Sequence, residues 1–269
     1  MKRLLLLAPL FAVASCAKFP GADSVTSQFP RINFVVQLRG EVNDSSTQYG
    51  DQDPGTAYLY YVVIRAITTD EQPNVGDPSP VIGENTPNGF VAGSPTHFIE
   101  YQSNLPTQQF PFRLFRFNPG PTQNDPDNPI NLGSFIDTTN IAGIGPIVNF
   151  TRPGDTSNKN ELRFDLFLNQ LATPEIPVES IKRIQVNILT MSRKSTLGAG
   201  DRSWDALGDA RNPGEIVTTV TLDVRSNRII DNTSAGDQIE PIDDVVTSSG
   251  FGGDPSLDIQ YFSIEARQP

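Results

Sequence analysis

Apolar and polar residues alternate along most of this chain with a period of two. Ile32, Phe34 and Val36 alternate within 31–39, and 56–68 is an aromatic and β-branched run containing Tyr58, Tyr60, Val62 and Ile64. Segment 110–117 alternates Phe110, Phe112 and Leu114 with Arg113 and Arg116 between them, and 161–169 puts Leu162, Phe164, Leu166 and Leu168 on one face. Ile184, Val186 and Ile188 come next, then Val220, Leu222 and Val224, and last Ile259 with Tyr261 or its neighbours Phe262, Ile264 and Ala266. Successive strand side chains point to opposite faces, so this pattern predicts half-buried strands of an antiparallel sheet system. No long segment has a helical period, although 203–210 could make a short turn of helix, and no repeat recurs at a fixed spacing.

Long polar stretches separate the predicted strands: 41–55, 70–89, 118–131 and 151–160, all dense in Pro, Gly, Asn and Asp. Connections above about 12 residues are uncommon in compact domains and often carry function. The expectation is an all-β chain, an antiparallel β-sandwich with long irregular loops, forming a single domain over 31–269. A doubly wound fold is excluded because the helices that would alternate with its strands are missing.

Composition narrows the chemistry. The chain has 269 residues with 21 Gly and 23 Pro, and its 16 Phe and 6 Tyr supply the bulk of a sizeable core. Its 20 Lys+Arg against 31 Asp+Glu give a net charge of −11, which argues against nucleic acid as a partner, since that needs a basic surface. One Cys and one His exclude a disulfide framework, a multi-Cys metal centre and a His-rich one.

The first fifteen residues stand apart. Lys2 and Arg3 precede an apolar run from Leu4 to Ala14, broken by Pro9, that ends in Ala14-Ser15-Cys16. Eleven helical residues reach roughly 16–17 Å, too short for a hydrocarbon core of about 30 Å, so 1–15 reads as a signal peptide. Val13-Ala14-Ser15-Cys16 resembles the lipobox of bacterial lipoprotein precursors. The resemblance implies cleavage between Ser15 and Cys16, acylation of the Cys16 sulfur, and residues 16–30 as lipidated Cys and tether. It implies a cell-envelope location, and Ala17 and Lys18 after the Cys resemble the pattern that enterobacteria send to the outer membrane. Acylation would also account for a lone exported Cys. Loss of Lys2 and Arg3 with the leader leaves 18 basic against 31 acidic side chains, a net of −13.

Three stretches carry a second resemblance: 161–171 (Glu-Leu-Arg-Phe-Asp-Leu-Phe-Leu-Asn-Gln-Leu), 184–190 (Ile-Gln-Val-Asn-Ile-Leu-Thr) and 202–205 (Arg-Ser-Trp-Asp). Over about 160–222 the chain is similar to carbohydrate-binding sandwiches of the family 9 and DOMON-like type. This implies a glycan ligand held between aromatic faces. Trp204 would be one wall and Tyr49, Tyr101 or Tyr261 the other. The alternative for Trp204 is packing at the sandwich edge. The family's haem-binding members need axial Met or His, for which the mature chain offers Met191 and His97, too thin a supply.

Two acidic loops could hold calcium through clustered oxygens: Asp51 and Asp53 in one, Asp125 and Asp127 in the other. Neither completes an EF-hand, because the twelfth position from Asp51 is Val62. No cofactor is expected beyond such structural calcium. A Ser-His-Asp triad would depend on His97 alone, read more simply as a polar residue at a strand start, and no Gly-x-Ser-x-Gly elbow is present. Glu240 and the pair Asp243-Asp244 read as a solvated loop, and the sequons at Asn43, Asn149 and Asn232 as incidental. The sequence thus predicts a non-catalytic, membrane-anchored envelope module that binds a ligand such as a glycan. The alternatives are an assembly lipoprotein working through contacts with an envelope protein and, third, a glycan-active hydrolase.

Overall fold

A computed structural model describes residues 28–43, 58–68, 78–80, 91–92, 95–101, 111–118, 134–139, 147–151, 158–192, 203–208, 219–234, 240–247 and 250–269. The alternating segments fold into two antiparallel sheets. The first contains β1 (Arg31–Leu38), β8 (Val148–Thr151), β9 (Glu161–Phe167), β13 (Arg228–Asp231) and β16 (Ile259–Arg267), in the order β13-β16-β1-β9-β8. The second contains β2 (Tyr58–Ile67), β5 (His97–Tyr101), β6 (Phe112–Asn118), β7 (Ser134–Asp137), β10 (Arg183–Ser192), β11 (Trp204–Ala206), β14 (Val246–Thr247) and β15 (Gly250–Phe251), in the order β15-β14-β11-β10-β2-β5-β6-β7. A further strand, β12 (Val220–Asp223), also pairs with β10, and β3 (Ser79–Pro80) with β4 (Val91–Ala92) makes a separate ribbon. The helical segments among the described residues are two short 3₁₀ turns, Leu168–Leu171 and Val178–Ser180.

Alternation decides which side chains meet between the sheets. Register pairs Ile32 with Leu166 and Ala266, Phe34 with Phe164 and Ile264, and Val36 with Leu162 and Phe262, so one face of the first sheet is continuously apolar. It packs on Tyr60, Val62, Ile64, Ile99, Tyr101, Phe112, Leu114 and Val186 of the second sheet in one buried cluster. Rings link the layers: Phe164 stacks on Phe34 at 4.9 Å between centroids and meets Phe112 of the second sheet at 4.7 Å. The outer face of the first sheet is a polar lattice in which Asp165 accepts from Asn33 Nδ2 at 2.7 Å and Asn149 Nδ2 at 2.7 Å.

The second sheet is buried on both faces at its centre. Leu59, Tyr61, Val63, Leu189, Met191, Trp204 and Ala206 form a second apolar cluster on its outer face. Asn187 on that face donates to the Pro78 carbonyl at 3.1 Å, which fastens the start of β3 there. Double burial explains why β2 and β10 read as near-continuous apolar runs rather than strict alternation.

The strands align so that the molecule has two poles. Arg31, Phe167 and Arg267 are register partners at one pole, where Leu168 N–H bonds the Pro30 carbonyl at 2.9 Å. The chain therefore enters β1 there from residue 30. At the other pole Leu38 N–H bonds Asn160, Arg39 N–H bonds Asp258 and Gly40 N–H bonds Pro255, gathering 38–43, 158–160 and 254–258. The helical turn expected over 203–210 is corrected to a strand: Trp204-Asp205-Ala206 pairs with Met191, Thr190 and Leu189, because bonds to β10 outweigh weak local preference in three residues.

Candidate functional site: a buried acidic pole

The described aromatic candidates do not converge. Trp204 lies on the outer face of the second sheet, opposite Met191 and Val246, and is 7% exposed. Tyr101 faces the opposite side of that sheet, into the core, where it packs on Tyr60 and Phe112. Tyr261 is in the first sheet opposite Gln37, on the polar outer face. A sugar clamp needs two facing walls, and no two of these three share a face. Tyr49, the calcium candidates Asp51, Asp53, Asp125 and Asp127, and Cys16 lie outside the described residues. The cavity lined by Tyr60, Tyr101, Phe112 and Phe164 measures about 10 Å³, roughly the space of one water.

The chemistry concentrates instead at the pole away from residue 30. Asp205, Glu240, Asp244 and Asp258 are all fully buried, so the solvated-loop reading of Glu240 and Asp244 is corrected; Asp243, 58% exposed at its side chain, does face solvent. Asp205, Asp244 and Asp258 each bring a carboxylate oxygen within 4.8 Å of the other two. Burying carboxylates is costly unless N–H donors or cations meet them. Here backbone and Arg39 do so. Asp205 Oδ1 accepts from Ala206 N–H at 2.8 Å and Oδ2 from Ile259 N–H at 2.7 Å, joining β11 of one sheet to the start of β16 in the other. Glu240 Oε2 accepts from Gly208 N–H at 2.8 Å, and Asp258 accepts from Asp243 N–H at 3.1 Å. The Arg39 guanidinium bridges Asp258 and Asp243, the latter at 2.7 Å.

Burial pushes both Asp205 and Glu240 well above the usual carboxylate range, and the neighbouring carboxylates push in the same direction. The oxygen spacing would suit a hard cation such as calcium, yet the bonds present go to N–H groups and Arg39. Asn232 closes the cluster from behind: its Nδ2 donates to the Glu240 carbonyl at 3.0 Å and its Oδ1 accepts from Glu240 N–H at 2.6 Å. That sequon side chain is 5% exposed and doubly bonded, hence structural. At the surface of the same pole, Tyr58 O–H donates to Asp254 Oδ2 at 2.5 Å, and burial with this carboxylate raises the phenol to about 12.

Sequence reasoning missed this cluster, although a signal exists. Asp205 sits in Trp-Asp-Ala-Leu, Asp258 in Leu-Asp-Ile and Asp244 before Val-Val, acids set against apolar neighbours where a solvated turn would carry polar ones. Compared with known proteins, the chain matches no family model, no curated protein and no solved structure.

Proposed function

We propose that this chain is a bacterial envelope lipoprotein: exported by residues 1–15, held to a membrane through acyl groups on Cys16, and carrying a non-catalytic β-sandwich that binds a partner. The lipobox Val13-Ala14-Ser15-Cys16, with the only Cys of the chain, carries the reading. The two poles are consistent with it. A tether over 16–30 feeds β1 at Arg31, so the acidic pole is at the end of the sandwich away from the tether. Several acyl chains would hold such a body stably where one would not.

Burial of Trp204 and Tyr101 leaves these two rings little face for a glycan to stack on, which favours protein contacts at the acidic pole, where Glu41 and Asp243 are 71% and 58% exposed at their side chains. A hydrolase would need an open cavity gathering carboxylates; Asp205 and Glu240 are instead sealed within the fold.

Labelling with a clickable palmitate analogue tests the anchor. The wild-type chain is expected to take the label and sediment with membranes, and Cys16→Ala to lose both. A Cys16→Ala protein that stays with membranes through a carbonate wash would refute the anchor.

A further inference from the structure

The acidic pole makes no use of His97, the single histidine of the chain. It opens β5 opposite Ile64 of β2 and Arg116 of β6, and it is completely buried. Its alternation with Ile99 and Tyr101 puts it on the face turned toward the first sheet.

Thr96 meets one nitrogen of the ring. Its hydroxyl accepts from Ala66 N–H at 3.0 Å and lies 3.2 Å from the Ile64 carbonyl and 3.0 Å from His97 Nδ1. Nε2 is buried and has no hydrogen-bond partner. A doubly protonated ring would carry an N–H at Nε2 as an unmet donor on a buried cation. The charged group facing the ring is the Arg116 guanidinium across the strand pair, which repels an imidazolium. The neighbouring inner-face positions of the second sheet, Ile64 of β2, Ile99 of β5 and Leu114 of β6, carry no charge and belong to the apolar cluster between the sheets.

We propose that His97 is an acid-sensitive switch in the fold: neutral and packed while the sandwich is closed, and able to take its second proton only when the sandwich opens. Desolvation, reinforced by Arg116, pushes the ring down to about 3. An unfolded histidine titrates near 6.5. The folded value is depressed, so the contribution of the neutral ring is complete above about 6.5 and is lost as pH falls toward about 3. Each pH unit within that window lowers the folded-to-unfolded ratio about tenfold through this one group. The switch does not require Cys16 to be acylated.

The test is denaturant unfolding of the tag-free, detergent-solubilised full chain and of His97→Phe and His97→Gln between pH 7.5 and 4.5. Carboxylates act on all three proteins alike, so the difference isolates His97. Between pH 6.5 and 4.5 the wild type is expected to lose about fiftyfold in folded-to-unfolded ratio relative to the variants. Parallel pH profiles overturn the proposal. Should both variants fail to fold, ¹⁵N NMR of the wild-type ring decides, since one histidine gives one unambiguous pair of ring signals. A ring that stays neutral until unfolding supports the switch. One that titrates near neutrality in a folded protein overturns it.

Discussion

Replacing Trp204 with Ala separates the two roles this residue could have. If it is a packed side chain, the substitution costs stability and leaves ligand recognition alone; if it is an open platform, the reverse holds. Trp204 is 7% exposed and touches the cluster of Leu59, Tyr61, Met191 and Ala206. A large aromatic at that exposure hides about 220 Å², which at about 25 cal/mol/Å² sets a ceiling of about 5.5 kcal/mol, since the unfolded chain also hides some of that area. Loss of the aromatic body from a packed site costs about 3–5 kcal/mol in measured series. Taking about 4 kcal/mol, and about 2–4 °C per kcal/mol for a body of this size, Trp204→Ala should lower Tm by about 8–16 °C. Trp204 is also the only Trp, so its fluorescence reports on it alone. Emission should be blue-shifted, poorly quenched by acrylamide and unchanged across a glycan panel. A Tm within 2 °C of wild type, together with strong quenching that a sugar relieves, would refute the packing argument and restore the platform.

Two further substitutions probe the acidic pole. A Cβ on Gly40 would sit 2.7 Å from the Pro255 carbonyl carbon and the Ser256 nitrogen, both backbone atoms that cannot swing aside; Gly40→Ala should therefore cost about 1–3 kcal/mol, read as a lower urea midpoint with the same m-value. Glu240→Gln keeps an acceptor for Gly208 N–H while removing an ionisable group from the cluster. Because Asp205 and Glu240 are raised in the folded state, wild-type stability falls as pH rises from the unfolded carboxylate range toward the folded values, by about 1.4 kcal/mol per unit for each proton held. Denaturant midpoints from pH 5 to 8 should diverge in favour of the variant as pH rises, and a constant gap would show that Glu240 is ionised throughout.

How legible the architecture is in the sequence depends on what each strand faces. β1 and β9 alternate cleanly because one face meets the core and the other the polar lattice around Asp165, so both the strands and their buried residues follow from the pattern. β10 is recognisable as a strand, but its second buried face, with Leu189 and Met191, depends on β11 and the outer cluster and cannot be inferred from β10 alone. β11 is three residues long and owes its existence to partners 13–17 and about 40 positions away, a distance over which local propensity says nothing. The acidic cluster is hidden for the same reason. Asp205 and Ile259 are 54 positions apart and meet only because β11 and β16 finish at the same pole.

That burial also changes what the charge of the chain means. A net of −13 for residues 16–269, taken as a surface property, would oppose an anionic membrane along the whole body. Seven carboxylates, those of Glu100, Glu161, Asp165, Asp205, Glu240, Asp244 and Asp258, are buried among the described residues, and Asp205 and Glu240 are pushed toward their neutral forms. Asp165 and Asp258 have arginine partners, Arg31 and Arg39, and Glu161 has Arg163. The field outside the protein is therefore weaker than the sequence total. Exposed acids at the pole away from residue 30 include Glu41, Asp243 and Asp254; Lys159 meets Glu41, and Arg39 is shared between Asp243 and Asp258, so acids outnumber cations there and repulsion from an anionic membrane would turn that pole outward. If Cys16 is acylated as proposed, tether and acidic far pole would act in the same sense: one would hold the body at the surface, and the other would turn that pole away from it.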